Sequence, residues 1–365
     1  MFEKLEKFLD GLRELPVPGN DCIVCRKGEV VFRHTAGFAD KEKTRPLTGS
    51  EKYQLFSCSK MITCCAALQL WEQGKFDLED ELCRYLPEYA QMKVRTPDGV
   101  TDARNKITLR HLFTMKAGFN YDLNAPALRR AFDDTKGSCP TREVIRYLAQ
   151  EPLDFEPGTK WQYSLAHDVL AAVVEEIAGM EFNEYVTKNI FDVLGMESCT
   201  FLLPSAQYDT LLPLYHELPA GDPLCLLQGI GYSGSAPFRL GPCYASGGAG
   251  CVSTAEDYNK LLQALCMGER ILKRSTIDMM RRDELDDEQQ KATWNGPYYS
   301  YGLGVRCPRR GQTMRNDFGW GGAGGAYFCI DPEREVTVLY MQHVHGTSAA
   351  PKRTRVIEFV NEIFS

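Results

Sequence analysis

Strand-like segments at the two ends of the chain, with mostly helical segments between them, constrain the fold more than any other feature of the sequence. Near the start, residues 21–26 and 30–36 are apolar runs that flank Lys27-Gly28-Glu29, which predicts a β-hairpin. Near the end, three further runs predict strands, at 301–307, 326–331 and 335–342. Apolar residues spaced three and four apart predict a helix before the hairpin and another after the last strand. The sequence therefore predicts one antiparallel sheet built from both termini and covered by the terminal helices.

The middle of the chain predicts a helical domain inserted into this α/β domain, since 365 residues are somewhat more than one core usually serves. Helical spacing of apolar residues covers 165–178, 181–194 and 255–267. The Gly/Pro-rich stretch 203–250 predicts long loops, which in compact proteins usually line sites or act as lids. We expect a site in the cleft between the domains. The expected boundaries are residues 1–56 and 295–365 for the α/β domain and residues 57–294 for the helical domain.

Composition excludes several classes of protein. Apolar residues make up 44% and charged residues 25%, the proportions of a soluble globular chain. The net charge of −7 argues against a nucleic-acid-binding surface, which needs a basic excess. No apolar run reaches the roughly eighteen residues of a membrane span, and the start does not resemble a secretory signal, so we expect a cytoplasmic protein. Its 14 cysteines then predict buried thiols rather than a disulfide framework.

The candidate metal and cofactor motifs are all incomplete. Cys22 and Cys25 form a single C-x-x-C without the second pair of ligands that a zinc site needs. His343 and His345 lie on one face of a strand, but no H-E-x-x-H helix accompanies them. The G-x-G-x-x-G letters of residues 229–234 follow no β-branched strand and open no helix. We therefore expect neither a metal nor a cofactor.

The sharpest chemical feature is Ser57-Cys58-Ser59-Lys60, at the head of an almost wholly apolar helix that Gly74 ends. Spacing of i, i+3 puts Ser57 and Lys60 on the same helix face. The amides at a helix start also present partial positive charge to an oxyanion. A serine here can simply cap the helix, but a lysine within so apolar a helix is costly unless it is paired or neutral. The pattern favours a nucleophile with an adjacent amine.

Two further features accompany this pair. Tyr163 stands just before the helix predicted at 165–178; it is either an aromatic anchor or, if its proton is labile, a base for Ser57. The glycine-dense segment 319–325 precedes a predicted strand, where glycines permit close approach to the backbone or simply form a bulge. A second glycine cluster, residues 246–250, is a candidate wall of the cleft.

Taken together, the three features resemble the serine β-lactamase and penicillin-binding-protein superfamily, most closely its esterase branch, the family VIII carboxylesterases. Ser57 and Lys60 match the S-x-x-K element and Tyr163 matches the tyrosine of Y-x-N. Trp320-Gly321-Gly322 takes the place of the K-T-G element, as a W-x-G motif does among such esterases. Supporting stretches at 107–119, 247–258 and 322–333 extend the resemblance to essentially the whole chain. The resemblance implies a β-lactamase/DD-peptidase-like fold, α/β plus all-α.

The resemblance also implies the roles of individual residues. Ser57 would attack the acyl carbonyl to form an acyl-enzyme, and Lys60 and Tyr163 would share the proton transfers, with Tyr163 favoured as the base. The backbone N–H groups of Ser57 and Ala323 would form the oxyanion hole. Trp320, Gly321, Gly322 and Leu165 would contact substrate. The partner would be a small ester molecule.

Departures from the family pattern indicate the substrate class. Without the lysine and threonine of K-T-G, the cation and hydroxyl that hold a β-lactam carboxylate are missing. Leu165 replaces the asparagine of Y-x-N, and whether His167 or Asp168 compensates stays open. Both losses favour small, uncharged esters, so we expect β-lactam hydrolysis to be slow or absent.

Alternatives remain on the same scaffold. An acyltransferase, an amidase or a β-lactamase would use the same residues, and the sequence does not determine which acceptor takes the acyl group. A non-catalytic binding protein is disfavoured because all three reactive side chains are present. A histidine-dependent hydrolase is disfavoured because there is no G-x-S-x-G elbow, so His111 and His167 are expected on helix surfaces or behind the site. The natural ester and the oligomeric state are not determined by the sequence.

Overall fold

The computed structural model of the chain describes residues 1–217, 225–226, 241–346 and 350–364. The G-x-G-x-x-G letters of residues 229–234 and part of the Gly/Pro-rich stretch 203–250 lie outside these described residues.

The strands include one hairpin near the start and a series near the end, as the apolar runs predict. Their bounds are β1 Gly19–Arg26, β2 Glu29–Gly37, β3 Tyr53–Gln54, β4 Lys93–Thr96, β5 Gly99–Asp102, β6 Tyr215–His216, β7 Cys225–Leu226, β8 Val252–Ser253, β9 Tyr299–Tyr301, β10 Arg306–Pro308, β11 Phe318–Gly321, β12 Tyr327–Asp331, β13 Val336–Met341 and β14 Val344–His345.

The helices fill most of the middle and flank the sheet at both ends. Their bounds are α1 Glu3–Gly11, α2 Ser59–Glu72, α3 Leu109–Phe113, α4 Pro126–Asp134, α5 Thr141–Leu148, α6 Ala166–Ala178, α7 Phe182–Val186, α8 Asp192–Leu194, α9 Ala255–Met267, α10 Arg274–Met280, α11 Asp287–Lys291, α12 Ala350–Arg353 and α13 Arg355–Ile363. The helix predicted at 181–194 is interrupted, since a π-helical turn, Thr187–Phe191, separates α7 from α8.

The main sheet confirms the prediction that both ends of the chain build it. Its seven strands run in the order β2-β1-β13-β12-β11-β10-β9, and each neighbouring pair is antiparallel. The single strand predicted at 301–307 is wrong in detail. Residues 302–305 form a turn, closed by the Gly302 N–H donating to the Val305 carbonyl at 2.9 Å, and this turn separates β9 from β10. Gly304 has a φ of 85°, a left-handed backbone that glycine adopts without strain.

The terminal helices cover one face of this sheet. α1 packs against α13, and both contact the sheet. The buried apolar side chains of this layer come from α1, the turn after it, β1, β12, β13 and α13: Leu5, Leu9, Leu12, Cys22, Val24, Cys329, Val336, Val338, Tyr340, Val356, Ile357 and Val360. The two chain ends therefore belong to one structural layer.

Helix α9 covers the opposite face and connects the sheet to the helical part of the molecule. It packs against β1, β12 and β13, with the Tyr258 ring 5.5 Å from that of Phe328. Its Tyr258 hydroxyl donates to the carbonyl of Cys58 at 2.9 Å. The sequence placed this helix in the domain of residues 57–294, but its apolar face is buried against the sheet. A helix pattern alone does not identify the surface that buries it.

The cysteines behave mostly as small apolar residues. Thirteen of the cysteines carry free thiols in the structure, and all of these except Cys83 and Cys243 are buried. Cys22 and Cys25 belong to different clusters on opposite faces of the sheet, because side chains alternate along β1. They therefore do not converge on a shared ion.

None of the helices in the described residues is long and apolar enough to cross a membrane. Within the same residues, no group of three or more His, Cys, Asp and Glu side chains has a geometry suited to a metal ion.

Candidate active site

Ser57 lies in a 3-10 turn, Phe56–Cys58, that leads directly into α2. Phe56 has a φ of 47°, a left-handed backbone that is costly for a bulky residue and that persists only where the surroundings impose it. Phe56 and Cys58 are buried on either side of Ser57, whereas Ser57 itself lines a cleft. The turn therefore presents the serine hydroxyl to the cleft while its neighbours anchor the backbone in the core.

Lys60 lies one turn further along α2 and is fully buried. Its Nζ is 3.3 Å from Ser57 Oγ, 3.5 Å from the Tyr121 hydroxyl and 2.7 Å from the Gly248 carbonyl oxygen, to which it donates. The i, i+3 spacing thus delivers the serine–amine contact that the sequence predicts. Tyr121 and Gly248 come from segments that no motif tied to the serine.

The ammonium form of Lys60 is the favoured form in this surrounding. Burial alone would lower the pKa of Lys60, but the oxygens of Tyr121 and Tyr163 and the charge of Asp168 more than offset burial, so its pKa is raised. The lysine therefore acts as a fixed positive charge next to the serine hydroxyl.

Tyr163 approaches from the segment before α6. The Lys60 Nζ lies 4.6 Å from the centroid of its ring. The indole Nε1 of Trp320 donates to the Tyr163 hydroxyl at 3.2 Å. The ring of Tyr121 stacks on Tyr163, with centroids 5.5 Å apart and planes 12° apart. The phenol oxygen therefore accepts a hydrogen bond from Trp320, and the Lys60 charge lies against its ring.

The glycine-dense segment 319–325 brings backbone next to the serine turn. A Cβ on Gly322 would lie 2.2 Å from the Leu55 carbonyl oxygen, so only glycine permits this approach. Ala323 follows in an exposed turn that faces the cleft. Its N–H has no acceptor among the residues that the structure describes.

A cleft of about 640 Å³ joins these groups. Most of the predicted site residues line it: Ser57, Tyr163, Trp320, Gly321, Gly322 and Ala323. Lys60 lies below the serine, out of the cleft wall. Leu165 does not line the cleft, because it is 3% exposed and packs in the core beside α6. The structure therefore gives no support to the sequence-based assignment of Leu165 as a substrate contact, which stays a prediction.

The cleft also contains residues that sequence reasoning missed. Trp294 is 63% exposed, and its ring lies 5.3 Å from that of Tyr163, at the mouth of the cleft. Arg353 lines the cleft and donates through Nη1 to the Gly322 carbonyl at 3.1 Å. Its Nε is buried without an acceptor among the described residues. No motif marks either residue, since both reach the cleft only through the fold.

The histidines lie behind or away from the site. His167 is fully buried in α6, and burial together with the Lys60 charge lowers its pKa to about 3. It is therefore a neutral core residue near the lysine, not a helix-surface residue. Burial lowers the pKa of the half-buried His111 to about 4, and its ring contacts the start of α3.

The fold and the site geometry correspond to one family. The chain matches the Beta-lactamase family over residues 5–362. Because that match spans nearly the whole chain, the chain belongs to the beta-lactamase family, and it is a serine hydrolase of that family.

Several of the proteins that the chain resembles are named as esterases or acyltransferases. Esterase EstB of Burkholderia gladioli is 31% identical over 357 residues, which cover 92% of this chain and 88% of the relative. The ML-236A carboxylate methylbutanoyltransferase mlcH of Penicillium citrinum is 29% identical over 294 residues, 77% of this chain and 68% of the relative. The solved structure of EstCE1, a hydrolase with promiscuous acyltransferase activity, superposes with a TM-score of 0.79 at 27% identity, covering 98% of both chains.

Proposed function

We propose that this protein cleaves small, uncharged carboxylic esters through an acyl-enzyme on Ser57. The observation that carries the proposal is the 3.3 Å contact between the Lys60 ammonium and Ser57 Oγ, beside a cleft that Tyr163 also lines. The named esterase among its relatives supports ester chemistry. The aromatic rings of Tyr163, Trp294 and Trp320, which line the cleft beside Ser57, support an uncharged substrate.

Tyr163 is the proton acceptor in this mechanism. The Ser57 oxygen attacks the ester carbonyl while its proton passes to the Tyr163 oxygen, and the same proton then goes to the leaving alkoxide, which departs as the alcohol. Lys60 and the Trp320 N–H stabilise negative charge on the phenol oxygen before the transfer. Water repeats the sequence on the acyl-enzyme, releasing the acid and restoring the Ser57 hydroxyl.

The carbonyl oxygen develops negative charge in both steps. The backbone N–H groups of Ser57 and Ala323 are the proposed donors to it, because both residues line the same cleft. Removing one donor of this kind typically costs about 100- to 1000-fold in kcat.

Acyl transfer to an alcohol is the second candidate function. It is favoured by relatives whose names state methylbutanoyl transfer or promiscuous acyl transfer. Chemically the two reactions differ only in whether water or another hydroxyl attacks the acyl-enzyme. Product analysis at increasing alcohol concentration measures how the acyl-enzyme divides between water and the alcohol. If the new ester exceeds the free acid already at low alcohol concentration, the transferase is favoured.

An activity screen of p-nitrophenyl esters over acyl length tests the main proposal, with Ser57→Ala as the control. We expect turnover of short-chain esters, a fluorophosphonate tag on Ser57 alone, and loss of both in Ser57→Ala with the melting temperature retained. Residual activity of Ser57→Ala near the wild-type level would refute the assignment.

The charge of the substrate is tested in the same screen. A pair of esters that differ only in a terminal methyl or carboxylate group compares neutral with anionic substrates. We expect the neutral ester to be preferred and nitrocefin to be turned over slowly or not at all. Preference for the anionic ester, abolished by Arg353→Met, would instead make Arg353 a carboxylate-binding residue.

A further inference from the structure

Asp168 is a buried carboxylate that the proposed mechanism does not use. It lies in the first turn of α6 and is fully buried. Its Oδ1 accepts hydrogen bonds from the Tyr244 hydroxyl at 2.7 Å and from Ser246 Oγ at 2.6 Å. Its Oδ2 is buried without a hydrogen-bond partner among the residues that the structure describes. An ionised carboxylate in such a place is costly unless a nearby charge compensates it.

That charge is the Lys60 ammonium, on the other side of Gly248. A Cβ built on Gly248 would lie 2.4 Å from Asp168 Oδ2 and 3.3 Å from Lys60 Nζ. The space beside the Gly248 Cα is therefore bounded by both of these charged side chains. The Gly248 carbonyl accepts from Lys60 at 2.7 Å. Gly247 is equally constrained, because its Cβ would lie 2.5 Å from the His167 carbonyl oxygen. The glycines of segment 246–250 therefore let its backbone fit between α2 and α6.

The other titratable groups around this pair do not supply a second buried carboxylate to compensate the lysine. Burial raises the pKa of the Cys58 and Cys64 thiols and of the Tyr121 and Tyr244 phenols, which keeps them neutral at pH 7. Burial lowers the pKa of His167 to about 3, so it is neutral too. Among the described titratable groups that act on the lysine, Asp168 is the one carboxylate.

We propose that Asp168 is a positioning residue, whose buried charge holds Lys60 in its ammonium form and whose hydrogen bonds fix the Gly248 carbonyl against it. This inference rests on the proposed function of Ser57, Lys60 and Tyr163. It assigns the lysine to electrostatic stabilisation and leaves proton acceptance to Tyr163. It also gives the glycine cluster 246–250 a role: it spaces the two charges and supplies the carbonyl between them.

The pH dependence of Ser57 labelling tests this role. Asp168→Asn removes the charge but keeps an oxygen for Tyr244 and Ser246 to donate to, whereas Tyr244→Phe removes a hydrogen bond and keeps the charge. Loss of the negative charge destabilises the ammonium, so Lys60 loses its proton at lower pH. We expect the basic limb of the fluorophosphonate-labelling rate to move down by about one pH unit or more in Asp168→Asn and to stay in place in Tyr244→Phe. An unchanged limb in Asp168→Asn, or an equal shift in both variants, would overturn the proposal.

A double-mutant cycle, measured by melting temperature, gives a second test that does not depend on enzyme activity. Lys60→Ala leaves the Asp168 charge uncompensated, and Asp168→Asn leaves the Lys60 charge uncompensated, while the double variant removes both charges. We expect the double variant to melt above Lys60→Ala, because breaking a buried pair costs more than replacing both members. A double variant that melts lower than Lys60→Ala would refute the pairing. This comparison stands even if Asp168→Asn does not fold alone.

The two proposals fail in distinguishable ways. If wild-type Ser57 takes no fluorophosphonate tag, the proposed function fails and the melting cycle alone decides the Lys60–Asp168 pairing. If wild type is labelled normally but Asp168→Asn has the same pH profile, the function stands and the positioning role of Asp168 falls.

Discussion

At the scale of single residues, the reactivity of Ser57 depends on a lysine that is buried yet charged. Lys60 has its ammonium within hydrogen-bond reach of the serine, of Tyr121 and of a backbone carbonyl. Each of these contacts replaces part of the hydration that burial removes. The cost of burying a charge is thus met by groups that also organise the site.

Tyr163→Phe and Lys60→Ala should each lower kcat by several orders of magnitude. The phenol and the ammonium act on one proton, so we expect the double variant to be little worse than either single variant. Steady-state kinetics on one p-nitrophenyl ester measures the three losses, with circular dichroism to verify folding. Losses that multiply would mean that the two groups act independently.

His343 provides a pH-dependent test of stability away from the serine. It is 3% exposed, and burial lowers its pKa to about 4, while both ring nitrogens lack partners among the described residues. Because the unfolded state takes up a proton near pH 6.5 and the folded state does not, stability falls as pH drops from about 6.5 towards 4.

The substitution His343→Leu removes that penalty. We expect it to raise the melting temperature more at pH 5 than at pH 8, with a difference of about 2 kcal/mol in the free energy of unfolding. Thermal melts of both proteins at the two pH values measure it. An equal change at both pH values would mean that His343 titrates normally in the folded state.

At the scale of elements, the site forms where the start of α2, the end of β11 and the glycine segment 246–250 come together. The i, i+3 spacing in α2 is local, so the sequence alone predicts the Ser57–Lys60 pair. The close approach of Gly322 to Leu55 is not local, and glycine content only hinted at it. The sequence marks segment 246–250 only as a candidate wall of the cleft, although its Gly248 carbonyl accepts from Lys60 and its Ser246 hydroxyl donates to Asp168.

Gly248→Ala tests the packing of that segment. The new methyl would lie 2.4 Å from Asp168 Oδ2, closer than real contacts allow, so the carboxylate or the segment must move. We expect kcat/KM to fall by about 100-fold or more, as happens when positioning groups shift by about 1 Å. Ala249→Ser, a half-buried neighbour, is the matched control and should stay within a few fold of wild type. Equal activities of the two variants would contradict this account of the glycine.

At the scale of the whole molecule, the two chain ends close one sheet and cover one of its faces. Strand β1 pairs with β13 along six residues, so the first and last thirds of the sequence depend on each other for folding. Helix α9 on the other face links the sheet to the Ser57 turn through the Tyr258–Cys58 hydrogen bond.

Leu5→Ala tests this dependence far from the serine. Leu5 is fully buried between α1 and the sheet, so its truncation should cost about 2–5 kcal/mol of stability. We expect the midpoints of the urea unfolding transitions followed by tryptophan fluorescence and by helical circular dichroism to shift together to lower urea concentration. The kcat of the folded enzyme should be unchanged. Lys7→Ala, on the exposed side of α1, should change stability by less than about 0.5 kcal/mol. Separate transitions for the two probes would mean that the sheet and the helical part unfold independently.

Features that short-range geometry controls can be predicted from the sequence alone: the strands at both ends, the buried α2, and a serine and lysine one helical turn apart. Periodicity and spacing fix these because neighbours in the chain are neighbours in space. Which distant groups contact these features depends on the tertiary structure. In the folded chain, Tyr121, Gly248 and Asp168 lie close to Lys60. Arg353 and Trp294 line the cleft, whereas Leu165 is buried in the core. Such contacts depend on how elements pack, and the local pattern of residues does not specify which element packs against which.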